Sequence, residues 1–165
     1  MKPESPAVPI IRNGGEGEKL AFAGGGLLTM KLTNAETAGS LMIFEDAVVR
    51  GKTTPWHSHE HEDELCYVIE GELLVNVQGT EHTLKQGGLF FAPRGTAHSL
   101  LVVSETARLL CLQTPGSGEA FYRMVSDPST SPDDAARPPD FGRVKEGALR
   151  TGSVSVLGPP PFKRQ

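Results

Sequence analysis

Between Leu27 and Thr114 the chain alternates short apolar runs with short polar breaks. "LLTMKL" (27–32), "SLMIFEDAVV" (40–49), "ELCYVIEGELLVNVQG" (64–79), "EHTLKQGGLFFAP" (81–93), "AHSLLVVS" (97–104) and "ARLLCLQT" (107–114) follow one another. Each is rich in aliphatic or other strand-favouring residues and ends at Gly, Pro, Asn, Ser or a charged pair. Before Gly116 no useful length of chain repeats its apolar residues at the spacing of about 3.6 that marks an amphipathic helix. "QGTE" (78–81) separates two strand-like segments and offers Gly79 to a hairpin turn. The pattern predicts an all-β core over residues 27–114, with close strands and tight turns, as in a barrel or two-sheet sandwich.

The flanks read differently. Residues 1–26 are polar, rich in Pro and Gly, and end in "GGG"; they predict an N-terminal arm with at most one strand. Residues 115–165 predict a C-terminal arm. In it, "SGEAFYRMV" suits a short helix capped by Ser117, 126–140 reads as a polar linker, and "FGRVKEGALRTG" suits a second short helix. A brief extended segment and a stiff proline run close the chain. Phe121, Tyr122, Phe141, Val154, Val156, Leu157 and Phe162 are too many apolar residues for a free tail, so the arm is expected to lie on the outside of the β core or on a partner subunit.

Composition narrows the function. With 165 residues, one domain is expected. A net charge of −4 gives no basic face for nucleic acid or anionic lipid. No segment approaches the roughly 20 apolar residues that span a bilayer, and the first ten residues lack the apolar centre of a signal peptide. The expected setting is the cytoplasm, where Cys66 and Cys111, both inside apolar runs, read as buried reduced thiols.

Chemistry concentrates at one place. Residues 57–64, "HSHEHEDE", carry three histidines amid acids, directly before an apolar strand. In a strand, residues two apart share a face, so His57 and His59 point the same way, and imidazole is the commonest protein ligand for divalent transition metals. Glu64 follows across a charged turn, and its parity puts Glu64, Cys66 and Val68 on one face. His98 opens a second run in which His98, Leu100 and Val102 share a face. His61 has the parity of His57 and His59 but falls where the chain must bend. It is read as exposed, with Glu60, Glu62 and Asp63 as a solvated turn. His82, in the hairpin, and Arg94, in the Pro-Arg-Gly turn, are also read as exposed.

These stretches resemble the two cupin motifs. "GKTTPWHSHEHEDELCYVIEG" matches the first at Gly51, His57, His59, Glu64 and Gly71, and "GGLFFAPRGTAH" matches the second at Gly87, Pro93, Gly95 and His98. The second motif usually ends in Asn where this chain has Val102, which removes a polar group but no ligand. The strand pattern extends the match to about 27–114. The resemblance implies a small jelly-roll β-barrel (a double-stranded β-helix) holding one divalent metal through His57, His59, Glu64 and His98. Fe, Mn, Ni, Co, Cu and Zn all suit three imidazoles and a carboxylate.

Within the cupins the chain is similar to small quercetinase-like bacterial proteins, including its "LGPPPF" ending at 157–162. That similarity implies a metal-dependent dioxygenase acting on an enolisable aromatic, flavonol-like or polyketide-like molecule, with Glu64 taking a proton from the substrate hydroxyl. The substrate pocket is expected from Val68, Phe91, Leu100 and Val102, with Trp56 as wall or packing residue and Cys66 as wall or core filler. Two alternatives stand beside this reading: a metal-dependent isomerase, epimerase or cyclase, and a non-catalytic small-molecule-binding or sensor cupin. The partners expected are a small-molecule substrate and, through exposed sheet edges, a second copy in a homodimer.

Overall fold

A computed structural model describes residues 7–163. Every apolar run named above forms a strand. The strands are β1 (Glu18–Phe22), β2 (Leu27–Leu32), β3 (Met42–Val49), β4 (Trp56–Ser58), β5 (Asp63–Glu70), β6 (Glu72–Val77), β7 (Thr80–Lys85), β8 (Leu89–Ala92), β9 (His98–Val102), β10 (Thr106–Thr114), β11 (Ser126–Pro128) and β12 (Ser155–Gly158). Two short helices, α1 (Glu119–Met124) and α2 (Phe141–Thr151), follow the central strands. Among the described residues no helix is long and apolar enough to cross a membrane.

The strands form two antiparallel sheets, with orders β11-β1-β2-β3-β10-β5-β8 and β12-β4-β9-β6-β7. Strict alternation sets the inward faces: in β3 Met42, Phe44, Asp46 and Val48 are buried, and in β10 Ala107, Leu109, Cys111 and Gln113 are buried. They meet Leu73, Val75, Leu100 and Val102 of the second sheet in one core. Full burial of each such aliphatic side chain contributes about 1.5–3 kcal/mol. The β6–β7 hairpin closes through Gln78 and Gly79, both at positive φ. That is the turn whose twist matches the strands.

The arms belong to these sheets. β1 pairs with β2 on one side and with β11 on the other, so part of the polar 126–140 segment is an edge strand. β12 pairs with β4, the strand that carries His57. Phe121, Tyr122, Val144, Ala148 and Val154 are buried in the common core, not laid on its outside. Ser117 does not cap α1: the helix start has no side-chain cap, and the Ser117 hydroxyl donates instead to Glu62 Oε1 at 2.6 Å. α2 is capped as its sequence suggests, with Asp140 accepting from the Arg143 amide and Gly152 ending it in the left-handed conformation.

Candidate metal centre

β4 and the residue after it present His57 and His59, the start of β5 presents Glu64, and β9 opens with His98, whose Cα is paired directly with that of His57. All four side chains are buried, and one ligand atom from each lies within 4.8 Å of the others. His59 Nε2 is 2.6 Å from Glu64 Oε2, and His98 Nε2 is 3.9 Å from Glu64 Oε1.

Local backbone fixes two of the rings. His57 Nδ1 lies 2.8 Å from the Pro55 carbonyl and His98 Nδ1 lies 2.9 Å from that of Thr96. Each carbonyl accepts from an Nδ1–H, which leaves the Nε2 lone pair for the centre, the usual arrangement of an orienting acceptor behind a metal-ligating histidine. His98 Nε2 is buried with no hydrogen-bond partner. An orphaned imidazole nitrogen facing a carboxylate and two more imidazoles fits a cation at this point, because an unpaired buried polar atom is otherwise costly.

The protonation states agree. Burial, aided by the neighbouring His98 and His59, pushes His57 down to about 3, and burial also lowers His98. Burial disfavours ionised Glu64, but His59, His98 and His57 outweigh it and hold the carboxyl below its ordinary range. For His59, burial is outweighed by the charge and hydrogen bond of Glu64, which raise it. Near neutral pH the centre offers an anionic carboxylate and neutral imidazoles at His57 and His98, the forms that ligate cations, while His59, raised by Glu64, holds a proton that a cation would displace.

Gln113 supports the carboxylate. Its Nε2 donates to Glu64 Oε2 at 2.9 Å and lies 3.4 Å from the Tyr122 hydroxyl. A Cβ on Gly118 would come within 2.0 Å of Gln113 Oε1, so a larger residue there would push the Gln113 amide from this position. Glu62 is 1% exposed and accepts from Ser117. This corrects its expected place in a solvated turn, where Glu60 and His61 do lie exposed. The expected exposure of His82 and Arg94 matches the structure, with Arg94 forking onto Asp63.

The four candidate ligands open onto a cavity walled by Phe22, Phe44, Leu100, Cys111, Phe121 and Tyr122. Of the residues expected to form the pocket, Leu100 lines this cavity; Val68 and Val102 are fully buried in the core instead. Val102, where the motif usually has Asn, packs opposite Leu73. Cys66 is buried behind the wall, directly across from Cys111 with the sulfurs 3.7 Å apart and both thiols free. Trp56 is half-buried on β4, adjacent to His57 in sequence and so on the opposite face. Phe91 requires correction: it is 52% exposed, and strand alternation turns Phe90 inward, 5.7 Å from the His98 ring.

A two-sheet antiparallel fold with this ligand set places the chain in the cupin superfamily, and the family model for the cupin domain matches residues 45–113. The tetracenomycin polyketide synthase protein TcmJ of Streptomyces glaucescens is 30% identical over 139 residues, covering 84% of this chain and 86% of that protein. Quercetin 2,3-dioxygenase of Bacillus subtilis (strain 168) is 29% identical over 122 residues, which are 74% of this chain but 36% of the dioxygenase. The chain thus matches about a third of that relative's length. An RmlC-like cupin from Shewanella frigidimarina NCIMB 400 superposes with a TM-score of 0.58 at 25% identity, over 67% of this chain and 95% of that one.

Proposed function

We propose that the protein is a metal-dependent cupin enzyme that carries out dioxygenase-type oxidation of an enolisable aromatic or polyketide-like small molecule. The observation that carries this is the opening of the buried His57, His59, Glu64 and His98 cluster into an aromatic and aliphatic cavity. Such a site suits a flat, largely apolar ligand that presents one or two oxygens to a cation. A bound divalent transition metal supplies Lewis acidity and, where redox-active, a path for oxygen chemistry.

The chain's own groups do the rest. Glu64, ionised and steadied by Gln113, accepts the proton of the substrate's enolic hydroxyl. Phe44, Phe121 and Leu100 keep water from the activated ring. The cavity measures about 70 Å³, room for roughly five waters at about 10–15 Å³ each.

The match to a polyketide synthase protein along most of its length favours a second reading on the same site. In it, Glu64 moves a proton on a polyketide-like enol without oxygen, as an isomerase or cyclase does. The two separate in an oxygen electrode. Metal analysis of the purified protein is followed by addition of 3-hydroxyflavone and β-diketones to the metal-loaded protein. Oxygen consumption that disappears after chelation supports the dioxygenase. A product of unchanged mass, formed equally fast without air, supports the proton-transfer enzyme and overturns the first.

A further inference from the structure

Lys52 is a charged residue inside the cavity that none of this chemistry uses. It follows Gly51 of the first motif, and its side chain is 5% exposed. Its Nζ donates to the Gly25 carbonyl, lies 3.5 Å from Asp46 Oδ2 and sits 5.2 Å from the centroid of the Phe22 ring. Lys52, Asp46 and Phe22 line the same cavity as the four candidate ligands.

An ammonium has three N–H donors. Gly25 takes one, and Asp46 engages a second at the long end of hydrogen-bonding range. The third has no acceptor among the described residues. A buried cation left short of acceptors is costly unless something else completes its shell. The Phe22 ring partly shields the ammonium but offers it no oxygen, and Lys52 lines the cavity, so an incoming ligand oxygen is the natural third acceptor.

The surroundings say which oxygen. Asp46 already stands beside Lys52, and a ligand carboxylate would be a second buried acid at the same ammonium, which is disfavoured. Phe22, Phe44, Phe121 and Tyr122, with ring centroids 4.9–6.1 Å apart, wall the space beside them. We propose that Lys52, held by Asp46 and Gly25, is a second recognition point that takes a phenolic oxygen of the substrate, remote from the enol that meets the metal ligands. The enol end rests on the reading given under Proposed function; the Lys52 end stands on its own geometry. The substrate class is thereby narrowed to hydroxylated aromatics, as against aliphatic diketones or unsubstituted rings.

The test separates the two ends. Calorimetry on the chelator-treated protein, at a pH acidic enough to keep the phenol un-ionised, compares 4-nitrophenol with 4-nitrotoluene, which has a methyl group in place of the hydroxyl. The phenol is expected to bind about ten- to hundredfold tighter, the range for a hydrogen bond to a charged group. In the Lys52→Met/Asp46→Asn double variant, which strands neither charge, the ratio is expected to fall to about one. Equal binding by the wild type, or an unchanged ratio in the variant, overturns the proposal. Should the variant not fold, the wild-type ratio decides alone.

In a second arm the metal-loaded protein is titrated with 3-hydroxyflavone and with its ring-hydroxylated analogue. If neither flavonol binds while the nitrophenol preference holds, the enol reading falls and the Lys52 site stands. If both bind equally and the nitrophenol shows no preference, the Lys52 site falls and the enol reading stands.

Discussion

At the scale of single residues, the centre's behaviour follows from an inequality among its three imidazoles. His57 and His98 are driven toward the neutral form, chiefly by burial, whereas Glu64 overcomes burial at His59 and raises it above the ordinary 6.5. A cation must therefore displace one proton, that of His59. Below the pH at which His59 titrates, affinity is expected to climb about tenfold per pH unit, with one proton released per ion. Above it, affinity levels off. Calorimetric titration of the chelated protein in buffers of different ionisation enthalpy counts that proton; a count of two would show that His57 or His98 is also charged, contrary to the environment described. The four candidate ligands were legible in the sequence because two stretches, 51–71 and 87–98, match the cupin motifs in register; strand parity alone put only His57 and His59 on one face. Gln113 and Asp46 were not singled out, although a signal existed. Each is the polar member of an otherwise apolar alternating face, Leu109-Cys111-Gln113 and Phe44-Asp46-Val48. Phe91 went the other way. Two adjacent phenylalanines have opposite parity, and only the pairing of Cys66 with Phe90 and of Leu65 with Phe91 decides which faces in.

Among elements, the strands were readable from apolar runs and turn residues, since each run is short and bounded. What could not be read was where the C-terminal arm goes. Its apolar residues required a surface to cover, but the register of β12 on β4, the packing of Phe121 on Phe22 and the bond from Ser117 to Glu62 join residues far apart in sequence, which no local pattern encodes. Its position gives it a role at the site. Phe121 is 3% exposed, packs edge-on to Phe22 and Tyr122, and borders the cavity. Phe121→Ala is expected to destabilise the protein by about 3–5 kcal/mol, seen as a lower midpoint in thermal or urea unfolding. It also enlarges the cavity, which Phe121 borders. Relative to wild type, the variant is then expected to gain affinity for larger flavonols while losing it for 4-nitrophenol. A uniform loss for ligands of every size would show that Phe121 acts on stability alone and does not set the size limit.

For the molecule as a whole, the outer face of the first sheet is unfinished. β8 is its edge strand, and on the side away from the core Leu65 stands opposite Phe91 and Tyr67 opposite Leu89. Leu89 is 51% exposed, Phe91 52% and Tyr67 38%. An edge strand with adjacent large apolar side chains is a surface that soluble proteins seldom leave to water. Arg108 of β10 is engaged with Glu45 of β3 and Glu70 at the end of β5. A second copy, related by a two-fold axis, offers the same patch and so covers it without a new sequence, as isologous contacts do. We therefore expect a homodimer through β5 and β8. Light scattering after size exclusion should give twice the 17.6 kDa chain mass. Phe91→Glu places a charge at the centre of the patch and should shift the mass to that of the monomer while the unfolding of the core stays cooperative. Glu64 of the candidate metal centre lies on the inner face of β5, so cation binding measured on the Phe91→Glu variant also shows whether the centre needs the second subunit. A wild-type protein that runs as a monomer at micromolar concentration would remove this interface and leave the patch to a partner of another kind.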